Sequence, residues 1–353
     1  MAPGGGGAGR MRIAILNPQV PFVRGGAEVL CDALCSELEL RGHTTEMIAI
    51  PFCWFPADVL LDQLLAARIT PIANADRVIA TKFPAYFVDH PHVVTWLLHQ
   101  HRLFYDLWGA PGTGTDDSVR GRALRDTFRR ADRKRLASAR RYVISGVVRD
   151  RLQRYSGLDS QILNPPLIDP QRFRRGPFGD YVFFPGRIGL FKRQALAIEA
   201  MTRVRSDVRL VIAGPPAREE ELWPLRALIA RHRLGGRVEL IGEWLSAERQ
   251  AKLYAGALAV VVPPVDEDYG LVALEAFASG KPVVTCTDSG SPAQLVADGS
   301  CGFVTAAQPS ALAAAFDRLR TEAGLASRMG EAAVARLDGL ALSWDDVIDA
   351  LVA

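Results

Sequence analysis

DEDYGLVALEAFASGKPVV, residues 266–284, places two glutamates around the start of an apolar helix. Glu267 lies in the acidic loop, and Glu275 follows after seven intervening residues, within the first turns of a helix that begins near Gly270. The first N–H groups of a helix have no intrahelical partner and, together with the helix dipole, attract anions. A carboxylate at 275 can accept hydrogen bonds from a vicinal diol such as a ribose. Either acid taken alone is more simply an ordinary helix or loop glutamate.

This stretch lies in a chain where short β-branched runs alternate with longer helical patterns. The N-terminal candidate strands are 12–16, 44–50, 77–80, 93–98 and 142–144. The C-terminal candidates are the runs YVFFPGR, VRLVIAGPP, RVELIGE, ALAVVVPP and PVVTCT. Such alternation predicts an α/β fold with two doubly wound, Rossmann-like parallel sheets. Ligands of these sheets bind beyond the carboxyl ends of the strands.

The length of 353 residues also favours two domains. A proline-rich stretch at 164–166 and the segment QRFRRGPFGD at 171–180 interrupt the pattern. We expect a disordered Gly-rich extension at 1–10, an N-terminal Rossmann-like domain at 11–164 and a linker at 165–180. A C-terminal Rossmann-like domain follows at 181–335. The helix at 336–353 could pack back towards the N-terminal domain, and the two domains are expected to face each other across a cleft.

The composition is that of a globular protein, with 49% hydrophobic and 23% charged residues. The net charge of +3 does not indicate a nucleic-acid partner. The five cysteines are scattered, without zinc-site spacing, which fits a reducing compartment. No signal peptide and no apolar run of membrane-spanning length is evident, so we expect a cytoplasmic protein.

Residues 120–154 hold thirteen arginines or lysines and only three aspartates. The simpler interpretation is a solvated helix face beside a strand. The alternative is a patch for anionic lipid or an acidic partner, which would give peripheral contact with the inner face of a membrane.

Three further patterns lie just after predicted strands. GRIGLFKRQ, 186–194, places Arg187 and Lys192 where two cations suit an anion such as a diphosphate. Gly25 and Gly26 permit a backbone turn around a phosphate or sugar, although G-x-G-x-x-G is not present. His99 ends a strong strand and could hold a hydroxyl or act as an acid or base. Taken alone, each pattern has a simpler interpretation. The cations would lie on the surface, the glycines would form a plain turn, and the histidine would be an ordinary residue at the sheet edge.

Together these pieces resemble the family 4 glycosyltransferases, or glycosyl transferases group 1, which have the GT-B fold. The resemblance extends from Met11 to the last helix. Its most specific part is PPVDEDYGLVALEAFASGKPVVTCTDSGSPAQLVADGSCGFVT, 263–305, which is similar to the family's E-x7-E block and following strand. Also similar are VPFVRGGAEVLCDALCSELELRGH, GRIGLFK and NPPLID.

The resemblance implies a retaining, metal-independent hexosyltransferase that needs no cofactor. In it the N-terminal domain, 11–164, would bind the acceptor, and the C-terminal domain, 181–335, would bind the nucleotide sugar. The enzyme would move a sugar from a nucleoside diphosphate sugar, with UDP or GDP as the nucleotide, to a hydroxyl acceptor. By this resemblance Glu275 holds the ribose, Glu267 lies near the transferred sugar, and the base stacks near Glu243 and Trp244. The implied catalytic residues are His99, Glu267, Arg187 and Lys192. The implied nucleotide-sugar-binding residues are Gly25, Gly26, Arg187, Lys192, Glu243, Trp244, Glu267, Tyr269, Gly270, Leu271, Val272 and Glu275.

Some positions depart from the family pattern. Gln294 stands where a glutamate is usual, Gly290-Ser291 replaces two glycines, and residues 57–76 are short. These segments would face the acceptor, so a glycan, a lipid-linked glycan and a small natural product all stay open. Two other functions are a catalytically degenerate GT-B subunit and a GT-B sugar-nucleotide 2-epimerase. The intact cations and E-x7-E block favour the transferase.

Overall fold

The computed structural model describes residues 9–54, 57, 59–110, 113–115 and 117–353. The chain divides into two compact units. The first ends at Pro166 and includes Ser343–Ala353, and the second is Leu167–Leu342. Most of the predicted N-terminal extension, residues 1–8, lies outside the described residues.

The described part of the first unit is built on a six-stranded parallel sheet. Its strands are β1 (Arg12–Gln19), β2 (Thr44–Pro51), β3 (Arg77–Lys82), β4 (Val93–His99), β5 (Arg140–Val143) and β6 (Gln161–Ile162). They lie in the order β2-β1-β3-β4-β5-β6. Its helices include α1 (Gly26–Leu40), α2 (Val59–Ile69), α3 (Val119–Ser138) and α4 (Gly146–Ser156). Six consecutive residues of β1 are buried, as expected for a central strand with both faces covered.

The second unit repeats the arrangement. Its strands are β7 (Tyr181–Pro185), β8 (Arg209–Ala213), β9 (Val238–Ile241), β10 (Ala259–Val261), β11 (Val283–Cys286) and β12 (Gly302–Thr305). They lie in the order β12-β11-β10-β7-β8-β9, and every pairing is parallel. Its helices are α5 (Gln194–Met201), α6 (Leu222–Arg231), α7 (Ala247–Gly256), α8 (Leu271–Ala278), α9 (Ser291–Leu295), α10 (Pro309–Thr321) and α11 (Leu325–Gly339).

Two hydrophobic clusters lie on opposite faces of the second sheet. Val182 and Phe184 belong to one cluster, and Phe183 between them belongs to the other. Successive side chains of a strand point to opposite faces, so helices cover both sides. The predicted fold class, two doubly wound α/β sheets of Rossmann type, is confirmed.

The last helix, α12 (Trp344–Val352), belongs to the first unit. Arg77 of β3 donates to the carbonyl oxygens of Leu351 at 3.0 Å and Ala353 at 2.8 Å, which satisfies groups at the end of the helix. At its start, Asp345 forms an ion pair with Arg41. The chain therefore closes on the unit where it began.

Residues 176–179, inside the predicted linker, are fastened to the second unit. The ammonium of Lys281, whose residue is fully buried, donates to the carbonyl oxygens of Gly176 at 2.9 Å and Pro177 at 3.0 Å. It also lies 4.0 Å from the ring centroid of Phe178. Burial lowers the pKa of Lys281 to about 8. This buried cation fixes the approach of the chain to β7.

None of the helices in the described part of the chain combines the length and the apolar character needed to span a bilayer.

Candidate functional site

The order of strands in the second sheet singles out one position at its carboxyl edge. From β7 the chain proceeds to β8 and β9 on one side, and β10, β11 and β12 lie on the other. The direction of winding therefore reverses between β7 and β10, which pair directly. Ligands of open α/β sheets bind outside the strands at such a reversal. The loop after β7 carries Arg187 and Lys192, and the loop after β10 carries Glu267 and Gly270.

Lys192 and Glu267 form an ion pair at this position. The Nζ atom of Lys192 donates to Oε1 of Glu267 at 2.7 Å and to Oε2 at 2.6 Å. Their side chains are 32% and 27% exposed, so both groups are accessible from solvent. Two candidate residues that are 75 positions apart in sequence are thus in direct contact. An anionic ligand at this site would compete with Glu267 for Lys192.

A second ion pair holds the turn that carries Lys192. The guanidinium of Arg193 donates to both oxygens of Asp288, at 2.7 and 2.6 Å, and holds the pKa of that carboxyl below its usual value. The N–H of Val265 donates to the carbonyl oxygen of Phe191 at 2.8 Å. The loops after β7, β10 and β11 are therefore tied together. Sequence reasoning missed Arg193 and Asp288, because nothing in the spacing relates them.

Gln194 supports the loop that contains Arg187. This residue is buried, and its amide donates to the carbonyl oxygen of Arg187 at 3.1 Å and accepts from the N–H of Gly189 at 3.4 Å. Arg187 itself is half-buried. The loop passes close to the next strand end, where a Cβ on Gly214 would lie 2.2 Å from the carbonyl oxygen of Gly186. A glycine is needed there on contact grounds alone.

Gly290 and Ser291 hold the acidic loop from the other side. Gly290 has a φ of 70°, and a Cβ on it would lie 2.6 Å from the carbonyl oxygen of Glu267. The hydroxyl of Ser291 donates to the carbonyl oxygen of Asp268 at 2.8 Å, and its N–H donates to that of Glu267 at 3.0 Å. The serine that stands where the family has a second glycine therefore adds a hydrogen bond to the loop.

The helix that follows this loop, α8, begins with backbone donors. Gly270 is its N-cap and offers no side chain to cap the first turn. The N–H groups of Ala273 and Leu274 bond to the carbonyl oxygen of Gly270, and those of Leu271 and Val272 come before them. An uncapped helix start beside a lysine provides the donors and the dipole that bind a phosphate. Burial raises the pKa of the neighbouring Tyr269 well above its usual value.

Glu275 lies one turn further along α8 and is bound by a tyrosine. The hydroxyl of Tyr254, on α7, donates to its Oε2 atom. Burial raises the pKa of Glu275, while this hydrogen bond and the charge of Arg172 act in the opposite direction. Sequence reasoning missed Tyr254, although it is a tyrosine at a buried position of a mostly polar helix.

Glu243 and Trp244 lie elsewhere on the same sheet edge. They follow β9, and β8 separates that strand from β7. The carboxylate of Glu243 accepts from Arg249 at 2.8 Å, and Trp244 is 57% exposed. The fold places both residues at the carboxyl ends of strands but not at the reversal point.

The remaining predicted residues belong to the first unit. Gly25 is the N-cap of α1, and its N–H donates to Glu28 at 2.8 Å. Glu28 also accepts from Lys82 at 3.1 Å, and despite burial its pKa stays below the usual value because of that lysine.

His99 pairs in register with Lys82 across β3 and β4, and its Nδ1 lies 2.7 Å from the carbonyl oxygen of Gln100. This sheet also reverses direction beside β3, between β1 and β3.

The site residues do not form a metal cage. Across the described ranges, no cluster of three or more His, Cys, Asp or Glu side chains has a geometry suited to a metal ion.

Comparisons with known proteins relate the sequence of this chain to glycosyltransferases. Residues 170–336 match the family model described as glycosyl transferases group 1. Over 99% of its length the chain is 28% identical to a D-inositol 3-phosphate glycosyltransferase of Actinosynnema mirum, of which it covers 93%. The family match thus lies within the second unit, and the whole chain is similar to a glycosyltransferase.

Solved structures relate this chain to the GT-B fold. A sucrose-phosphate synthase from Thermosynechococcus elongatus superposes with a TM-score of 0.78 at 20% identity, covering 97% of this chain and 96% of its own. HepE of Anabaena, in complex with UDP and glucose, gives 0.73 at 16% identity, covering 98% and 100%. The two six-stranded parallel sheets of this chain, each in a Rossmann-like domain, therefore have the GT-B fold of these solved structures.

Proposed function

We propose that this protein is a retaining, metal-independent hexosyltransferase of family 4 that uses no cofactor. It transfers a sugar from a nucleoside diphosphate sugar to a hydroxyl acceptor. The observation that carries the proposal is the contact between Lys192 and Glu267 at the reversal point of the second sheet. A cation for a diphosphate and an acid for a sugar lie together there, beside an uncapped helix start.

In the proposed complex the diphosphate lies at the start of α8. The N–H groups of Leu271 and Val272 donate to it, and Arg187 and Lys192 offset its charge. Glu275 accepts the ribose hydroxyls, and the base lies towards Glu243 and Trp244. The UDP-containing structure of HepE supports UDP as the first nucleotide to test, with GDP as the second.

The proposed reaction occurs on one face of the sugar. The acceptor oxygen bonds to the anomeric carbon as the bond to the diphosphate oxygen breaks, and that departing oxygen takes the acceptor's proton. The configuration is therefore retained. Lys192, Arg187 and the helix start stabilise the charge that develops on the diphosphate, which is the role of a metal ion in other transferases. Glu267, after Lys192 has moved to the diphosphate, faces the transferred sugar. In the first unit, His99 is proposed to hold a sugar hydroxyl, and the Gly25–Gly26 turn is proposed to contact both the donor and the acceptor.

The acceptor is proposed as a hydroxyl of a glycan, a lipid-linked glycan or a small natural product. The name of the Actinosynnema relative supports including D-inositol 3-phosphate among the compounds tested. Peripheral contact with the inner face of a membrane would involve α3, where Arg122, Arg130, Arg133 and Lys134 are exposed. Anionic vesicles would then bind the protein and neutral vesicles would not.

A binding screen tests the donor assignment. Calorimetry with UDP, GDP, ADP and dTDP, each with magnesium and with EDTA, should find one tight diphosphate whose affinity does not depend on metal. Transfer from the matching sugar nucleotides, followed by NMR of the product, then reports the anomeric configuration. Failure of all four diphosphates to bind would favour a degenerate subunit. An epimerised sugar nucleotide without transfer would favour the epimerase.

Replacing Glu275 with alanine should weaken nucleotide binding about 10- to 100-fold, because charge-assisted hydrogen bonds to the ribose are lost. Calorimetry with the nucleotide found in the screen measures this effect. Glu331→Ala is the matched control, since Glu331 is exposed on α11 of the same unit. Equal affinities of the two variants would mean that Glu275 does not hold the ribose.

A further inference from the structure

Tyr254 is held rigidly beneath Glu275. The tyrosine is fully buried, and its ring packs edge to face against Phe173 and Phe183, with centroids 5.5 and 5.1 Å away. Two aromatic neighbours at interplanar angles of 85° and 87° leave the ring little freedom. The direction of its hydroxyl is therefore set by the core of the unit rather than by solvent.

That hydroxyl fixes the orientation of the Glu275 carboxylate. It donates to Oε2, whereas an ionised carboxylate has about four sites that accept hydrogen bonds. This contact uses one site and leaves the remaining lone pairs to accept from a ligand. A ribose presents two vicinal hydroxyls, and a carboxylate in a fixed rotamer can accept both without ordering itself on binding.

We infer that Tyr254 is a positioning residue, whose hydroxyl holds Glu275 in the orientation that receives the ribose hydroxyls and so favours ribonucleotide over 2′-deoxyribonucleotide donors. The inference rests on the proposed function, since it needs Glu275 at the ribose. It assigns to a core tyrosine an effect on substrate choice that packing alone would not produce.

The same contact influences the protonation of Glu275. Burial raises the pKa of this carboxyl, and the groups that oppose burial are the Tyr254 hydroxyl from α7 and the Arg172 cation from the segment before β7. Two contacts position Arg172. Its guanidinium lies 4.9 Å from the ring centroid of Phe173 and donates a hydrogen bond to the side-chain oxygen of Gln250. Once the tyrosine hydroxyl is removed, only the charge of Arg172 opposes the effect of burial on the pKa of Glu275. The pKa of Glu275 then rises, and the protonated form persists to higher pH.

The test compares Tyr254→Phe with wild type for UDP and GDP, each beside its 2′-deoxy counterpart. For the nucleotide that binds, wild type should prefer the ribose form about tenfold or more, as expected for a lost charge-assisted hydrogen bond. In Tyr254→Phe this preference should fall to about twofold or threefold, with the affinity of the deoxy form nearly unchanged. Donor KM should rise while kcat stays within about threefold. The midpoint at which acid weakens binding should move to higher pH.

Tyr181→Phe is the matched control. The Tyr181 hydroxyl donates to the carbonyl oxygen of Leu253 at 2.8 Å in the same unit, so its loss tests the general cost of removing a hydrogen-bonded, partly buried tyrosine hydroxyl. The sugar preference of this variant should equal that of wild type. A second variant, Glu275→Gln, should lose the preference whether residue 254 is tyrosine or phenylalanine, because coupled residues are not additive.

Three results would overturn the inference. In the first, Tyr254→Phe weakens the ribose and deoxyribose forms by the same factor, which is the signature of a structural role. In the second, it leaves the preference intact. In the third, the preference is unchanged in Glu275→Gln, which would remove Glu275 from the ribose. If no nucleoside diphosphate binds wild type, the proposed function itself fails; a wild-type enzyme that binds but meets either of the first two results refutes only the role of Tyr254.

Discussion

Lys192→Ala is expected to lower turnover at least about 100-fold and to weaken binding of the nucleoside diphosphate. The Lys192 side chain is 32% exposed at the carboxyl edge of the sheet, so it can leave Glu267 for a diphosphate. Charge develops on the departing diphosphate in the transition state, and removing one preorganised donor from such a site costs about 10²- to 10³-fold in kcat. Steady-state kinetics with saturating donor separate this loss from weaker binding.

Lys252→Ala is the control for that experiment. Lys252 pairs with Glu248 on α7 of the same unit, with side chains 74% and 77% exposed, so its removal should leave turnover unchanged. The proposed role of Lys192 would be wrong if the two alanine variants had equal kcat values.

The ion pair also predicts that replacing Glu267 changes the affinity for the diphosphate in the direction opposite to replacing Lys192. Both carboxylate oxygens of Glu267 accept from Lys192, so a diphosphate must compete with Glu267 for this cation. Glu267→Gln removes the competing charge. UDP should bind several-fold more tightly to this variant, in line with about 1 kcal/mol for a partly exposed pair. Transfer should nevertheless decline, because Glu267 would no longer face the sugar. Tighter binding with slower turnover distinguishes competition for Lys192 from simple damage to the loop.

The contact between Lys192 and Glu267 could be anticipated only in part from the sequence. Strand-ending patterns placed both residues at carboxyl ends, and parallel strands bring those ends to one edge. That argument predicts that Lys192 and Glu267 lie at the same edge, but not that they contact each other, because the contact depends on the order of the strands. The pairing of β7 with β10 determines it, and sequence spacing does not encode that pairing.

Two polar residues that support the site could not be predicted for another reason. Tyr254 and Asp288 act through side chains whose partners are distant in sequence, and a single tyrosine or aspartate carries no pattern. His101 illustrates the difficulty: it lies two residues from His99, yet it is buried among phenylalanines and its pKa falls to about 3. The roles assigned to all the site residues, with Glu243, Trp244 and His99 among them, stay predictions, as does the basic segment's contact with a membrane.

That basic segment nevertheless contains a residue that its composition conceals. Asp132 lies on α3 between exposed cations, and charge counting treats it as part of a solvated face. In the structure it is fully buried and accepts hydrogen bonds from three side chains: Tyr86, Tyr105 at 2.5 Å and Gln100 at 2.7 Å. Burial raises the pKa of Asp132, and these three donors act against that rise. The carboxyl thus joins α3 to the loops that flank β4.

Asp132→Ala should therefore destabilise the protein by about 3–5 kcal/mol, since it leaves several buried donors without their acceptor and opens a cavity. Urea unfolding followed by tryptophan fluorescence measures the loss, and buried Trp96 reports on the first unit. Asp126→Ala, on the exposed side of the same helix, should change the free energy of unfolding by no more than about 0.5 kcal/mol. Equal urea midpoints for the two variants would contradict this role of Asp132. A large difference in unfolding free energy between these two variants would mean that the buried face of α3 stabilises the first unit.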